Sequence, residues 1–142
     1  MLQIIYSSAA VAPFSELELA QLLTRARANN VRLDVTGMLL YHDASFLQVI
    51  EGDEPTLETL FQRIGTDRRH GRISTLLRRE IEAQQFGDWA MGFVSPKYLT
   101  QKLPGYSDYL RLRGEPEKSA SAAERVLAGF RAGRFRSYVS AR

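Results

Sequence analysis

Apolar residues alternate with polar ones in short runs near the N-terminus and then fall into helical stripes. Leu2-Gln3-Ile4-Ile5-Tyr6 is β-branched and aromatic, and Ser7-Ser8 with Pro13 follows it. This predicts a strand ending in a loop. Behind Ser15 the period changes, with Leu17, Leu19, Leu22, Leu23 and Ala26 at helical spacing and Glu18 at the capping-box position. Asn29-Asn30 predicts the end of that helix, because asparagine tolerates the left-handed conformation. Val35–Tyr41 and Phe46–Gly52 read as the two strands of a hairpin turning over His42–Ser45. A second helix is predicted from Glu54 to Thr66, with Leu57, Leu60, Phe61 and Ile64 inward. Ile73–Ile81 reads as a fourth strand, and Phe86–Val94 leads into a fifth.

The order strand, helix, strand, strand, helix, strand is the split βαβ pattern of a ferredoxin-like α+β domain, here βαββαβ(β). Two helices would cover one face of a mixed sheet. C-terminal helices would cover the other, with candidates at Tyr106–Leu112 and Ser121–Arg131 separated by a linker at Gly114–Lys118. The chain has no internal repeat and no low-complexity tract.

A length of 142 residues suits one compact domain, and 44% hydrophobic with 25% charged residues is ordinary for a soluble globular chain. No apolar run is long enough to cross a bilayer. The first residues, MLQIIYSSAAVAPFSE, lack the basic and long apolar regions of a secretory signal, so the expected location is cytoplasmic. Cysteine is absent, which excludes disulfides, thiolate metal sites, cysteine nucleophiles and cysteinyl photochemistry. With only His42 and His70, a histidine-rich metal site is not expected either. The net charge of +3 divides unevenly, −2 over residues 1–108 and +5 over 109–142. A basic tail can contact nucleic acid or an acidic partner, although interleaved apolar residues also fit a solvated helix face.

Several polar residues stand where a core is expected. Gln48 shares a strand face with Phe46 and Ile50, so its amide is either a satisfied core group or is aimed at a bound ring. Tyr6 ends the first strand, which this topology makes central, and Gln48 on a neighbouring strand can partner its hydroxyl. Tyrosine both gives and takes a hydrogen bond and glutamine carries a carbonyl and an NH2, so the pair can reverse polarity. Asn29-Asn30 can cap a helix or offer donors and acceptors to a planar heterocycle. Trp89 and Met91 can be plain core. Arg63, Asp67, Arg68, Arg69 and His70 concentrate charge at the end of the second helix, as a solvated terminus or as a clamp for phosphate or carbonyl groups. No catalytic triad, glycine-rich phosphate loop or paired carboxylate emerges.

Taken together, Ile4–Ser8, Asn29-Asn30, Val35–Tyr41, Phe46–Gly52 and Phe86–Phe93 resemble the BLUF domain, a blue-light sensor that uses FAD. The resemblance spans residues 1–95, which it makes the flavin-binding domain. The extension 96–142 is similar, more loosely, to the C-terminal helices of short, single-domain BLUF proteins and would serve output or oligomerisation. The resemblance implies non-covalent FAD between the two helices. Tyr6 then matches the photoactive tyrosine and Gln48 the essential glutamine. Asn30 matches the asparagine at the flavin ring edge, and Asn29 lies beside it at a variable position. Arg63, Asp67 and His70 fall near the ring's other carbonyl and the ribityl chain, Phe46 and Ile64 pack the ring, and Trp89 and Met91 match the pair implicated in signal output. FAD rather than FMN is the family default.

The implied function is a photoreceptor rather than an enzyme. Light would drive proton-coupled electron transfer from Tyr6 to the flavin, and the rearranged Gln48 network would signal to a separate effector protein, with a homo-oligomer expected and no membrane role. Two alternatives remain beside it. One is a small acylphosphatase-like hydrolase using Arg63, Arg68 and Arg69, and the other a basic-tailed module for nucleic-acid or protein interaction.

Overall fold

The computed structural model describes residues 1–42 and 44–86, together with the backbone of Gly92–Val94. Its elements run β1 (Leu2–Ala10), α1 (Glu16–Leu33), β2 (Thr36–His42), β3 (Ser45–Gly52), α2 (Glu54–Gly65), β4 (His70–Glu80) and β5 (Gly92–Val94). The strands form one sheet in the order β4-β1-β3-β2-β5. The first four are mutually antiparallel and β5 joins the edge parallel to β2. This is the ferredoxin-like α+β arrangement the element order predicts.

Side-chain alternation sorts the apolar residues onto the two faces of the sheet. Leu2, Ile4, Leu39, Phe46 and Ile50 pack with Leu19 and Leu23 of α1 and Leu57 and Leu60 of α2. Ile5, Met38, Leu40, Leu47 and Val49 form a second cluster on the opposite face, joined there by Phe86. At Gly37 the two central hairpin strands approach so closely that a Cβ would overlap the Val49 carbonyl, so this position requires glycine.

Three boundaries differ from the sequence expectation. β1 continues through Ser7 and Ser8 to Ala10, because those serines pair with Leu47 and Phe46 of β3 and both are buried. β4 begins at His70, opposite Ala10. α1 starts where expected, with the complete Ser15/Glu18 capping box, but it runs past Asn29-Asn30. It stops at Asp34, whose φ of 56° is left-handed, and the Val35 N–H donates to the Asn30 carbonyl at 2.9 Å while the Asp34 N–H donates to Val31 at 3.3 Å. That is a Schellman closure with aspartate in the usual glycine position. The two asparagine side chains are thereby freed from terminating the helix. The predicted C-terminal helices and the extension 96–142 lie outside the described residues.

Candidate functional site

A cavity of about 520 Å3 opens between α1 and α2 above the central strands. That is ample for a mid-sized organic ligand. All nine candidate binding residues line it: Tyr6, Phe46 and Gln48 from the central strands, Asn29 and Asn30 from α1, Arg63 and Ile64 from α2, Asp67 from the connection to β4 and His70 from the first position of β4. Trp89 and Met91 lie outside the described residues.

Tyr6 and Gln48 are directly opposite each other in the β1–β3 ladder. The Tyr6 hydroxyl donates to Gln48 Oε1, and both residues are buried. Burial, with a smaller push from the Asp67 charge, raises the Tyr6 pKa far above the ordinary tyrosine value. The phenol therefore stays protonated and available as a donor. Its ring stands 5.3 Å from Phe61 in tilted packing, which holds the hydroxyl toward the glutamine.

The far end of the cavity is braced by His70. Its Nε2 donates to the Ile64 carbonyl at 2.8 Å, and its Nδ1 is hydrogen-bonded with the Ser8 hydroxyl at 2.8 Å. One imidazole thus ties the end of α2 to β1. Asp67 accepts from the Arg69 guanidinium at 2.7 Å and 3.0 Å and from the Arg69 N–H at 2.9 Å. Those bonds hold its pKa at about 2. Arg69 also lies over the Phe14 ring at 5.7 Å. On α1, Asn30 is buried, whereas the Asn29 carbonyl accepts from Arg32.

Sequence reasoning missed Ser8 and Arg25, both of which line the cavity. Each carried a usable signal. Ser8 is two residues past Tyr6 on the same strand face, and Arg25 is one helical turn before Asn29. The local preference of Ser7-Ser8 for a loop hides the face that Ser8 shares with Tyr6. The arginine cluster does not form a bare anion cradle, since Arg69 is committed to Asp67 and Arg68 does not line the cavity.

Amide, hydroxyl and guanidinium groups around an apolar-walled slot suit a planar heterocycle with several carbonyl and ring-nitrogen acceptors. Fold and pocket together define a ferredoxin-like domain with a cavity suited to such a ligand beside a buried Tyr–Gln hydrogen bond. Comparison with known proteins gives the family. The model for BLUF, "Sensors of blue-light using FAD", matches residues 1–92, and the chain belongs to that family. It is a blue-light sensor domain that uses FAD.

The chain is similar to BlrB, a BLUF protein solved in its dark state, at 32% identity with 92% of each chain covered and a TM-score of 0.68. It is similar to Klebsiella pneumoniae BlrP1 in a manganese and cyclic-diGMP complex, at 29% identity and a TM-score of 0.76, covering 93% of this chain and 33% of that one. It is 30% identical over 100 residues to the photoactivated adenylate cyclase subunit beta of Euglena longa, a match covering 70% of this chain and only 12% of the cyclase subunit. Among the described residues no helix is long and apolar enough to cross a membrane.

Proposed function

We propose that the cavity between α1 and α2 holds FAD and that Tyr6 and Gln48 are its photochemical partners. The observation that carries this reading is the buried hydrogen bond from the Tyr6 hydroxyl to Gln48 Oε1 at the sheet side of the cavity. FAD, when bound, supplies the blue absorption and, once excited, an electron acceptor. Asn30 and Asn29 would hold the ring edge, Arg63, Asp67 and His70 the opposite carbonyl and the ribityl chain, and Phe46 and Ile64 the ring faces.

Tyr6 serves as electron donor, and its phenolic proton has one evident acceptor, Gln48 Oε1. If Gln48 takes the phenolic proton at oxygen and releases one from nitrogen toward the ring, the return of that proton with the electron to Tyr6 would leave the imidic tautomer, whereas turning about χ3 exchanges NH2 for carbonyl. Either outcome reverses the direction of the Tyr6–Gln48 bond. Once electron and proton return to Tyr6, no net oxidation remains and only hydrogen bonds differ. A donor newly turned toward a ring carbonyl lowers the transition energy slightly, which gives a small red shift.

The reading is a sensor that signals to a separate effector protein in the cytoplasm. Residues 1–95 would form the flavin domain and 96–142 an extension for output and self-association, with Phe130, Phe135 and Tyr138 among the arginines as contact residues. FAD is preferred over FMN because the family is defined by it, although one BlrP1 structure contains FMN. The test is extraction of the flavin from purified protein together with its dark and lit spectra. Bound FAD with a reversible red shift supports the reading, and a colourless protein that takes up no FAD on refolding contradicts it.

A further inference from the structure

On the sheet face turned away from the cavity, three residues along β1 and β3 from Tyr6 and Gln48, a second polar system crosses four strands. Thr36, Glu51, Gln3 and Arg79 stand in register across β2, β3, β1 and β4. Glu51 is fully buried. Its Oε1 accepts from the Thr36 hydroxyl at 3.3 Å and from the Phe86 N–H at 2.8 Å. Its Oε2 accepts from the Gln3 side-chain amide at 2.8 Å and from the Gln85 N–H at 3.0 Å. Gln3 in turn accepts from Arg79 Nε at 2.9 Å, so guanidinium, amide and carboxylate form one oriented chain. Unlike Gln48, Gln3 cannot reverse, because turning it would set NH2 against guanidinium and carbonyl against carboxylate.

A buried carboxylate is costly unless fully hydrogen-bonded, and two of the four donors that satisfy this one are backbone groups of the segment after β4. Gln84 adds a third tie, its side-chain amide donating to the backbone carbonyls of Glu51 at 3.3 Å and Asp34 at 3.0 Å. Residues 84–86 precede 87–91, which include Trp89 and Met91, and β5 follows at Gly92. In the sheet Leu39 stands opposite both Gln48 and Phe93. Residues 84–86 and 92–94 are therefore both fastened close to the strand that carries Gln48, the first by Glu51 and the second through β2.

We propose that Glu51 is a positioning residue for signal output, coupling β3 to the Trp89/Met91 segment through its hydrogen bonds to the Gln85 and Phe86 backbone. The proposal rests on the light-sensing reading above, in which Gln48 is the element with two arrangements. A shift of β3 at Gln48 moves the Glu51 carboxylate with it, and the carboxylate carries residues 85–86 along. Glu51→Gln tests the link with little change of shape. Whichever way the new amide turns, its NH2 faces either the Thr36 and Phe86 pair or the Gln3 and Gln85 pair, so one backbone N–H loses its acceptor.

The experiment uses the full-length flavin-loaded protein, in the dark and under blue light, and reads two signals. The flavin red shift reports the photochemistry. Fluorescence and acrylamide quenching of Trp89, the one tryptophan in the sequence, report the segment. We expect Glu51→Gln to keep the full red shift while its light-induced Trp89 change falls at least several-fold relative to wild type. A merely structural role would lower the melting temperature and leave the ratio of Trp89 response to red shift unchanged, which would overturn the proposal. Should the variant fail to fold, amide hydrogen exchange of the wild type decides. Gln85 and Phe86 should be protected in the dark and exchange at least tenfold faster when lit. Equal protection in both states beside a normal red shift would overturn the proposal, whereas loss of the red shift in wild type would instead overturn the light-sensing reading.

Discussion

Tyr6 and Gln48 owe their pairing to two elementary facts, the alternation of side chains along a strand and the adjacency of β1 and β3 in the sheet. Tyr6→Phe should leave the protein yellow but abolish the reversible red shift, and Gln48→Leu should do the same by removing the acceptor; difference spectra of the two variants check this. Burial favours the neutral phenol in the fold, so the Tyr6 contribution to stability is complete below about pH 10 and declines only above it. The red-shift amplitude should accordingly stay flat from about pH 6 to about pH 9. Asp67 behaves in the opposite sense. Its pKa is about 2 in the fold against an ordinary 3.8, so its contribution is present above about pH 4 and lost as the pH falls toward 2. At 34% side-chain exposure the effect is damped by solvent, and it reads as a melting-temperature difference between wild type and Asp67→Asn that closes on acidification. Tyr6 and Gln48 stand out in the sequence as polar groups in apolar runs, whereas Asn30 is singled out only by the family resemblance. Arg25 was not legible there, since an arginine on a surface helix looks the same whether or not a cavity lies beside it.

Elements were legible where their period was long and clean, and less so at their ends. Ser7-Ser8 looks like a loop by local preference, yet the sheet overrides it by giving both serines strand neighbours, and Ser8 a histidine partner. The end of α1 was misjudged by a few residues for a similar reason. Asparagine tolerates the left-handed conformation, but Asp34 adopts it, because only there does the Schellman closure bring the chain into β2. Asp34→Gly should therefore stabilise the protein by about 1 kcal/mol in urea unfolding, relieving a left-handed aspartate. Gly37→Ala should cost about 1–3 kcal/mol or more in the same assay, because the Val49 backbone must move to admit a methyl group.

At the scale of the whole molecule, the fold places the Tyr6–Gln48 hydrogen bond on one face of a sheet and the Gln3–Glu51 polar ladder on the other, with β3 belonging to both. An arrangement of this kind can pass on a change only if two states of comparable energy exist and something prefers one of them. The tail beyond residue 95 is the expected place for that preference, and the sequence spoke less clearly there because its apolar residues are sparse among arginines. Sedimentation of the full chain in darkness and under blue light should show a light-dependent change in self-association that Gln48→Leu removes. The most direct test of the central claim is the visible absorption spectrum of the purified protein, dark and then illuminated. The account predicts a flavin spectrum that shifts slightly to the red under blue light and relaxes in darkness. A colourless protein, or a flavin that only bleaches, would contradict it.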